Sequence, residues 1–294
     1  MMNSTIISLD NFKPIKITSP GCCIYCNNHS ENLTDEHVIP YALGAHVISI
    51  KDACCVKCQA IIQRYEQEVL KKQLGTFRAK FGAPSRTKPK DRPSEMRITF
   101  TEIDKHGQQL RDLGYKKIPL AQAPWYIVLW ESPPPAIFGL PVAPGFEKGR
   151  LWDTGDRAAI DSICQEVGRD KGAKFVKAQI GSISRDMYLR WLAKTAHAFA
   201  VAQLGLDKFK PFLQDIILNR TQEIEKYVGD TSSHKDRNIE FKCDDEAKGW
   251  FNIRLKLDPD GRYANLVLVF IQLFPEFKTP VHCVVVGDVG VNVG

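Results

Sequence analysis

Four cysteines arranged as two short pairs carry the clearest chemistry in this chain. They are Cys23-Ile24-Tyr25-Cys26 and Cys55-Val56-Lys57-Cys58. Two residues between cysteines let both sulfurs of a pair turn toward one metal ion, and two such pairs complete the tetrahedral set that zinc prefers. Structural zinc on Cys23, Cys26, Cys55 and Cys58 is therefore expected. Cys22 and Cys54 stand directly beside the pairs, so a ligand set shifted by one residue stays open. Cys164, Cys243 and Cys283 occur singly in periodic segments and are expected in the core. The 28 residues between the pairs are enough for a small substructure, and they contain the run Leu33 to Pro40, LTDEHVIP, in which Glu36 precedes His37.

That constellation resembles the HNH endonuclease family. The features shared with one subgroup are Glu36-His37-Val38-Ile39-Pro40, the following Leu43-Gly44, and a CxxC pair on either side. The likeness covers roughly residues 22 to 75. It implies a ββα-metal finger, a hairpin followed by a helix, that hydrolyses phosphodiester bonds, with DNA as the expected substrate. It also implies His37 as the general base and Glu36 as a ligand of a catalytic divalent cation. The residue types suit that chemistry. Neutral histidine can take a proton from water near physiological pH, and a carboxylate suits Mg²⁺ or Mn²⁺, which stabilise charge on a phosphate.

One position departs from the family. Where Asn or His usually follows the second CxxC, this chain has Gln59, whose carbonyl sits on a longer arm. Gln59 to Leu74 reads as a helix with Ile61, Ile62, Tyr65 and Val69 on one side and Gln59, Gln63 and Glu66 on another. Gln59 is read as completing the metal site. Glu66 matches an acidic position of the family and either assists the metal or orients His37 from behind it. The alternative is a solvated helix face on a weakened or inactive finger that binds nucleic acid or a protein partner.

A basic run follows. Lys71, Lys72, Arg78, Lys80, Arg86, Lys88, Lys90 and Arg92 are opposed only by Asp91, a local excess above the net charge of +6 for all 294 residues. Such a run attracts phosphate backbones without reading bases, and Lys80, Arg86, Lys88, Lys90 and Arg92 are the expected nucleic-acid contacts. Arg190, Lys194 and His197 share one face of a later helix and are read as its solvent side, a phosphate-facing stripe being the alternative. The stretch Leu189 to Phe199 resembles a helix that follows such fingers in related bacterial proteins.

The elements that must position these residues give an α+β reading. A zinc-stabilised finger spans 18–75, a basic linker 76–95, and a mixed α+β domain 96–294. In that domain strands are expected at Met96 to Glu102 and Trp125 to Trp130, and helices at Asp156 to Gly168, Ser184 to Leu204 and Lys208 to Tyr227. Three C-terminal strands follow, at Trp250 to Leu257, Ala264 to Phe274 and Val281 to Val286, the first two joined by a turn at Asp258 to Gly261, in a sheet covered by helices on one side. The domain's role is open, and a homodimer contact is one candidate. The longest apolar stretch, Leu266 to Phe274, is about half a membrane span. The N-terminal MMNSTIISLDNF lacks a basic start followed by an apolar core. A reducing, cytoplasmic setting is therefore expected, where cysteine pairs bind metal rather than form disulfides.

Overall fold

The computed structural model describes residues 3–7, 14–29, 32–44, 48–85, 88–231, 249–257 and 263–290. It opens with strands β1 (Asn3–Ile7) and β2 (Ile15–Ile17). The finger comes next, with β3 (Leu33–His37), one helical turn α1 (Tyr41–Gly44), β4 (Ile48–Cys55) and helix α2 (Val56–Gln67). β4 pairs antiparallel with β3 and parallel with β2. The expected order of hairpin then helix is present. On α2 the buried residues are Cys58, Ile62 and Tyr65, spaced so that one stripe of the helix turns inward. The helix widens into π turns over Glu68–Gln73 and ends in α3 (Gly75–Lys80).

The run 76–95, expected as a linker, begins inside α3. Its Phe77 is buried, with ring centroids 4.8 Å from Phe274 and 6.0 Å from Phe277. This run therefore supplies core to the finger's junction with the C-terminal strands.

The middle of the chain forms β5 (Glu95–Ile103), β6 (Gln109–Pro119), β7 (Tyr126–Glu131), β8 (Arg150–Gly155), α4 (Arg157–Lys171) and β9 (Val176–Ile180). β6, β5 and β9 make a sheet in that order, and β7 pairs with β8. Met96, Ile98 and Phe100 of β5 pack against Ile160 and Val167 of α4. Asp156 caps that helix by accepting from the Ala159 amide at 3.1 Å, and Gly172 ends it at φ +64°.

Helix α5 (Arg185–Leu204) follows, then β10 (Lys210–Pro211), α6 (Gln214–Ile217), β11 (Val228–Asp230), β12 (Phe251–Leu257), β13 (Leu266–Leu273) and β14 (Val281–Asp288). The main sheet runs β1-β12-β13-β14-β10, with β11 also on β14. The helix expected over 208–227 is not one element. Lys210 and Pro211 pair with Asp288 and Gly287, Asn219 turns the chain at φ +56°, and α6 is a single turn between them. The long helix α5 covers one face of the sheet, as expected, and the other face is buried as well. Val269, Ile271 and Val284 join the core around α5, whereas Leu268, Phe270, Cys283 and Val285 pack with Phe138 and Tyr263. The apolar run Leu266–Ile271 of β13 is what a strand buried on both faces requires. The turn expected at Asp258 to Gly261, and Cys243, lie outside the described residues.

One continuous core joins the finger to this sheet. It runs from Ile24 and Tyr25 through Ile62 and Tyr65 to Trp191 and Phe199 of α5 and on to Phe251 and Val284.

Candidate active site

The four sulfurs of Cys23, Cys26, Cys55 and Cys58 lie within 4.8 Å of one another, and Cys26 Sγ is 3.7 Å from Cys55 Sγ. A tetrahedral zinc with bonds of about 2.3 Å puts its sulfurs about 3.8 Å apart, so this donor set fits the ion. Backbone geometry assembles it. The Cys23 amide donates to Asn28 O and the Asn27 amide to Cys23 O, with Asn27 at φ +57° closing a tight turn. The Ile24 amide donates to Ala53 O at 2.9 Å and so brings the first pair beside the end of β4. Cys55 is the extended residue at the start of α2, and Cys58 sits in that helix's first turn. Cys22 and Cys54 are outside the cluster; Cys54 Sγ instead faces the Cys55 carbonyl at 3.6 Å. Cys164 is half-buried on α4, and Cys283 is buried on β14.

Glu36 and His37 are neighbours near the end of β3, opposite Ile50 and Ser49. Successive strand residues point to opposite faces. Glu36 is the inward one, only 6% exposed, and His37 is half-buried. The partner of Glu36 comes from far along the chain. Lys194 of α5, only 2% exposed, places Nζ 2.5 Å from Glu36 Oε1, 3.0 Å from Glu66 Oε1 and 2.8 Å from the His37 carbonyl oxygen. Burial works against the charge on Lys194, but Glu36 and Glu66 hold its pKa above the ordinary lysine value. Burial pushes the Glu36 carboxyl up, opposed by the attraction of Lys194.

Of the face expected on α2, the structure brings Glu66 to this cluster. Gln63 is exposed and Gln59 is half-buried. A catalytic Mg²⁺ or Mn²⁺ held by Glu36 and Gln59 does not fit this arrangement. Glu36 Oε1 is bonded to the buried Lys194 ammonium, and the Glu36 side chain lies on the side of the strand away from solvent.

The reading of Arg190, Lys194 and His197 as a solvent face is corrected. All three are buried. α5 is lined on every side by Tyr188, Leu189, Trp191, Leu192, Ala193, Ala196, Ala198, Phe199 and Ala200, all buried, and a helix apolar all round is a core helix. Arg190, Lys194 and His197 each answer an acceptor inside the fold. Arg190 donates to Ile216 O and Thr221 O. His197 Nε2 is 2.8 Å from Ile24 O, inside the first cysteine pair, and burial lowers its pKa to about 4. The imidazole is therefore neutral at physiological pH and donates that hydrogen bond. The continuous apolar lining of the segment around Lys194 was the sequence signal available for this burial.

The basic run divides. Arg78 is buried and donates to Ala42 O, Leu70 O and Pro84 O. Lys80 is half-buried and donates to Leu120 O at 3.0 Å. Lys88, Lys90 and Arg92 are exposed, and Arg92 reaches Ser85 O at 3.3 Å. Arg86 and His46 lie outside the described residues, and His29 is exposed. Among the described residues no helix is long and apolar enough to cross a membrane.

Residues 23–74 match the family model described as HNH endonuclease. The matched segment is the finger just described, with both cysteine pairs, Glu36, His37 and all of α2, and the match supports a nuclease-type function. No curated protein matches the chain, and no solved structure does.

Proposed function

We propose that this protein is an HNH-type endonuclease that hydrolyses phosphodiester bonds in DNA, with His37 as the base that activates water. The observation that carries the reading is the match of residues 23–74 to the HNH endonuclease family, a segment that holds both a cysteine tetrad suited to zinc and His37 at the end of β3. Zinc would be held by Cys23, Cys26, Cys55 and Cys58 and would fix the turn of the first pair against β4 and α2. His37 takes the proton from the attacking water, whose oxygen bonds to phosphorus as the bond from phosphorus to the leaving oxygen breaks, and the leaving oxygen takes a proton from solvent. Lys88, Lys90 and Arg92, exposed on the segment after the finger, hold the backbone of the nucleic acid. Glu66 acts behind the finger through Lys194. No step is assigned to a divalent ion on Glu36 and Gln59. Cleavage of a supercoiled plasmid by purified protein, with Mg²⁺, with Mn²⁺ and with neither, against a His37→Ala control, tests the reading.

A second reading is favoured by one observation. Glu36 is bonded to buried Lys194 rather than open to solvent, which suits a finger used to dock on nucleic acid or a protein without cutting. Binding of DNA without cleavage under any of the three metal conditions would select it.

A further inference from the structure

We propose that Lys194 is the resident cation of this finger, a tethered ammonium on the carboxylate expected to hold a divalent ion, and that it positions His37. The proposal deepens the nuclease reading and rests on His37 as the base. Three oxygens surround Nζ, namely Glu36 Oε1 at 2.5 Å, the His37 carbonyl at 2.8 Å and Glu66 Oε1 at 3.0 Å. An ammonium has three N–H donors, so all three are used. None is left for a substrate phosphate, and Lys194 is a positioning residue rather than a catalytic one.

The three acceptors come from β3 and α2, the two elements that frame the finger, and the donor comes from α5. Lys194 thus fixes the backbone of His37 directly and, through Glu36 and Glu66, fixes the strand to the helix. A divalent ion held by oxygen ligands would tie the two elements in the same way. Here the side chain is 2% exposed and covalently held, so it cannot exchange with ions in solution. Removing an ammonium from between two carboxylates and a carbonyl leaves an oxygen-lined gap with two negative charges, which suits Mn²⁺.

The test is an electron paramagnetic resonance titration with Mn²⁺, run beside plasmid cleavage. It uses full-length wild type, Lys194→Ala, Lys194→Ala with Glu36→Gln, and Glu36→Gln alone, each checked for retained zinc. Wild type should show no Mn²⁺ binding that depends on Glu36. Lys194→Ala should gain one bound Mn²⁺ per chain and lose it in the double variant. In cleavage, Lys194→Ala should lower kcat by about 10²-fold with KM unchanged, the cost of a displaced catalytic group, and Mn²⁺ should restore part of it. Mn²⁺ binding by wild type that disappears in Glu36→Gln overturns the proposal, as does a zinc-loaded Lys194→Ala that binds none. If Lys194→Ala does not retain zinc, the wild-type and Glu36→Gln pair alone decides by the same criterion. Wild type that neither cuts DNA nor binds Mn²⁺ overturns the nuclease reading and supports Lys194 as the resident cation.

Discussion

Lys194 Nζ lies 2.8 Å from the carbonyl oxygen of His37 across 157 residues of sequence. One helical turn further along α5, His197 donates to Ile24 O between Cys23 and Cys26. The finger is therefore held at two backbone points by one buried helix of the C-terminal part. Its geometry depends on that helix as well as on the cysteine tetrad.

Zinc should be present at one ion per chain in reduced, freshly purified protein. Cys55→Ser should lower that content and the melting temperature together, because structural zinc contributes folding free energy directly. Cys164→Ser, half-buried on α4 and outside the tetrad, should keep full zinc. Elemental analysis finding no zinc in the wild type would overturn the site.

The buried imidazole of His197 sets a pH dependence. Its pKa falls from the ordinary 6.5 to about 4. The unfolded chain therefore binds a proton in a range where the folded chain does not. Stability is expected to fall on acidification between about pH 6.5 and about pH 4, by at most about 1.4 kcal/mol per pH unit, and this contribution is complete above about pH 6.5. Urea unfolding across that range, with zinc content followed in parallel, checks this. His197→Gln, which keeps an N–H donor but does not titrate, should give a flatter profile. A wild-type profile no steeper than the variant's would contradict it.

The division of the basic run separates binding from stability. Changing Lys88, Lys90 and Arg92 together to Gln should weaken DNA binding and flatten its salt dependence, with a similar loss for unrelated sequences. Arg78→Met should instead destabilise the fold by about 2 kcal/mol, because three half-buried carbonyls lose their donor. An unchanged salt slope in the triple variant would remove those residues from the interface.

The segment read as a linker gives a packing test. Phe77→Ala is expected to cost about 3–5 kcal/mol, the range for a buried aromatic, in a chemical denaturation curve. A loss below about 0.5 kcal/mol, the size expected of a surface substitution, would mean that this run does not pack as described.

The cysteine tetrad and the order of strand, strand and helix were legible because local spacing encodes them. CxxC turns, the Glu-His step and the stripe of Ile62, Tyr65 and Val69 each involve neighbours in sequence. The Asp156 cap was legible for the same reason. The partners of Glu36 were not. The bond from Lys194 to Glu66 spans 128 residues, and no local pattern announces it. Polar residues at i, i+4 and i+7 normally mark a wet helix face, and Arg190, Lys194 and His197 satisfied that pattern while each met a buried acceptor. The break-up of 208–227 was hidden in the same way. Its apolar residues suit a helix, but Lys210 and Pro211 are drawn to the edge of β14.

Plasmid cleavage tests the central claim most directly. Purified, zinc-loaded protein should nick supercoiled DNA, and His37→Ala should lower the rate by about 10²- to 10⁴-fold, the usual contribution of a general base, with zinc content unchanged. No cleavage with Mg²⁺, Mn²⁺ or neither, or cleavage undiminished by His37→Ala, would contradict the assignment of His37 as the base of a nuclease.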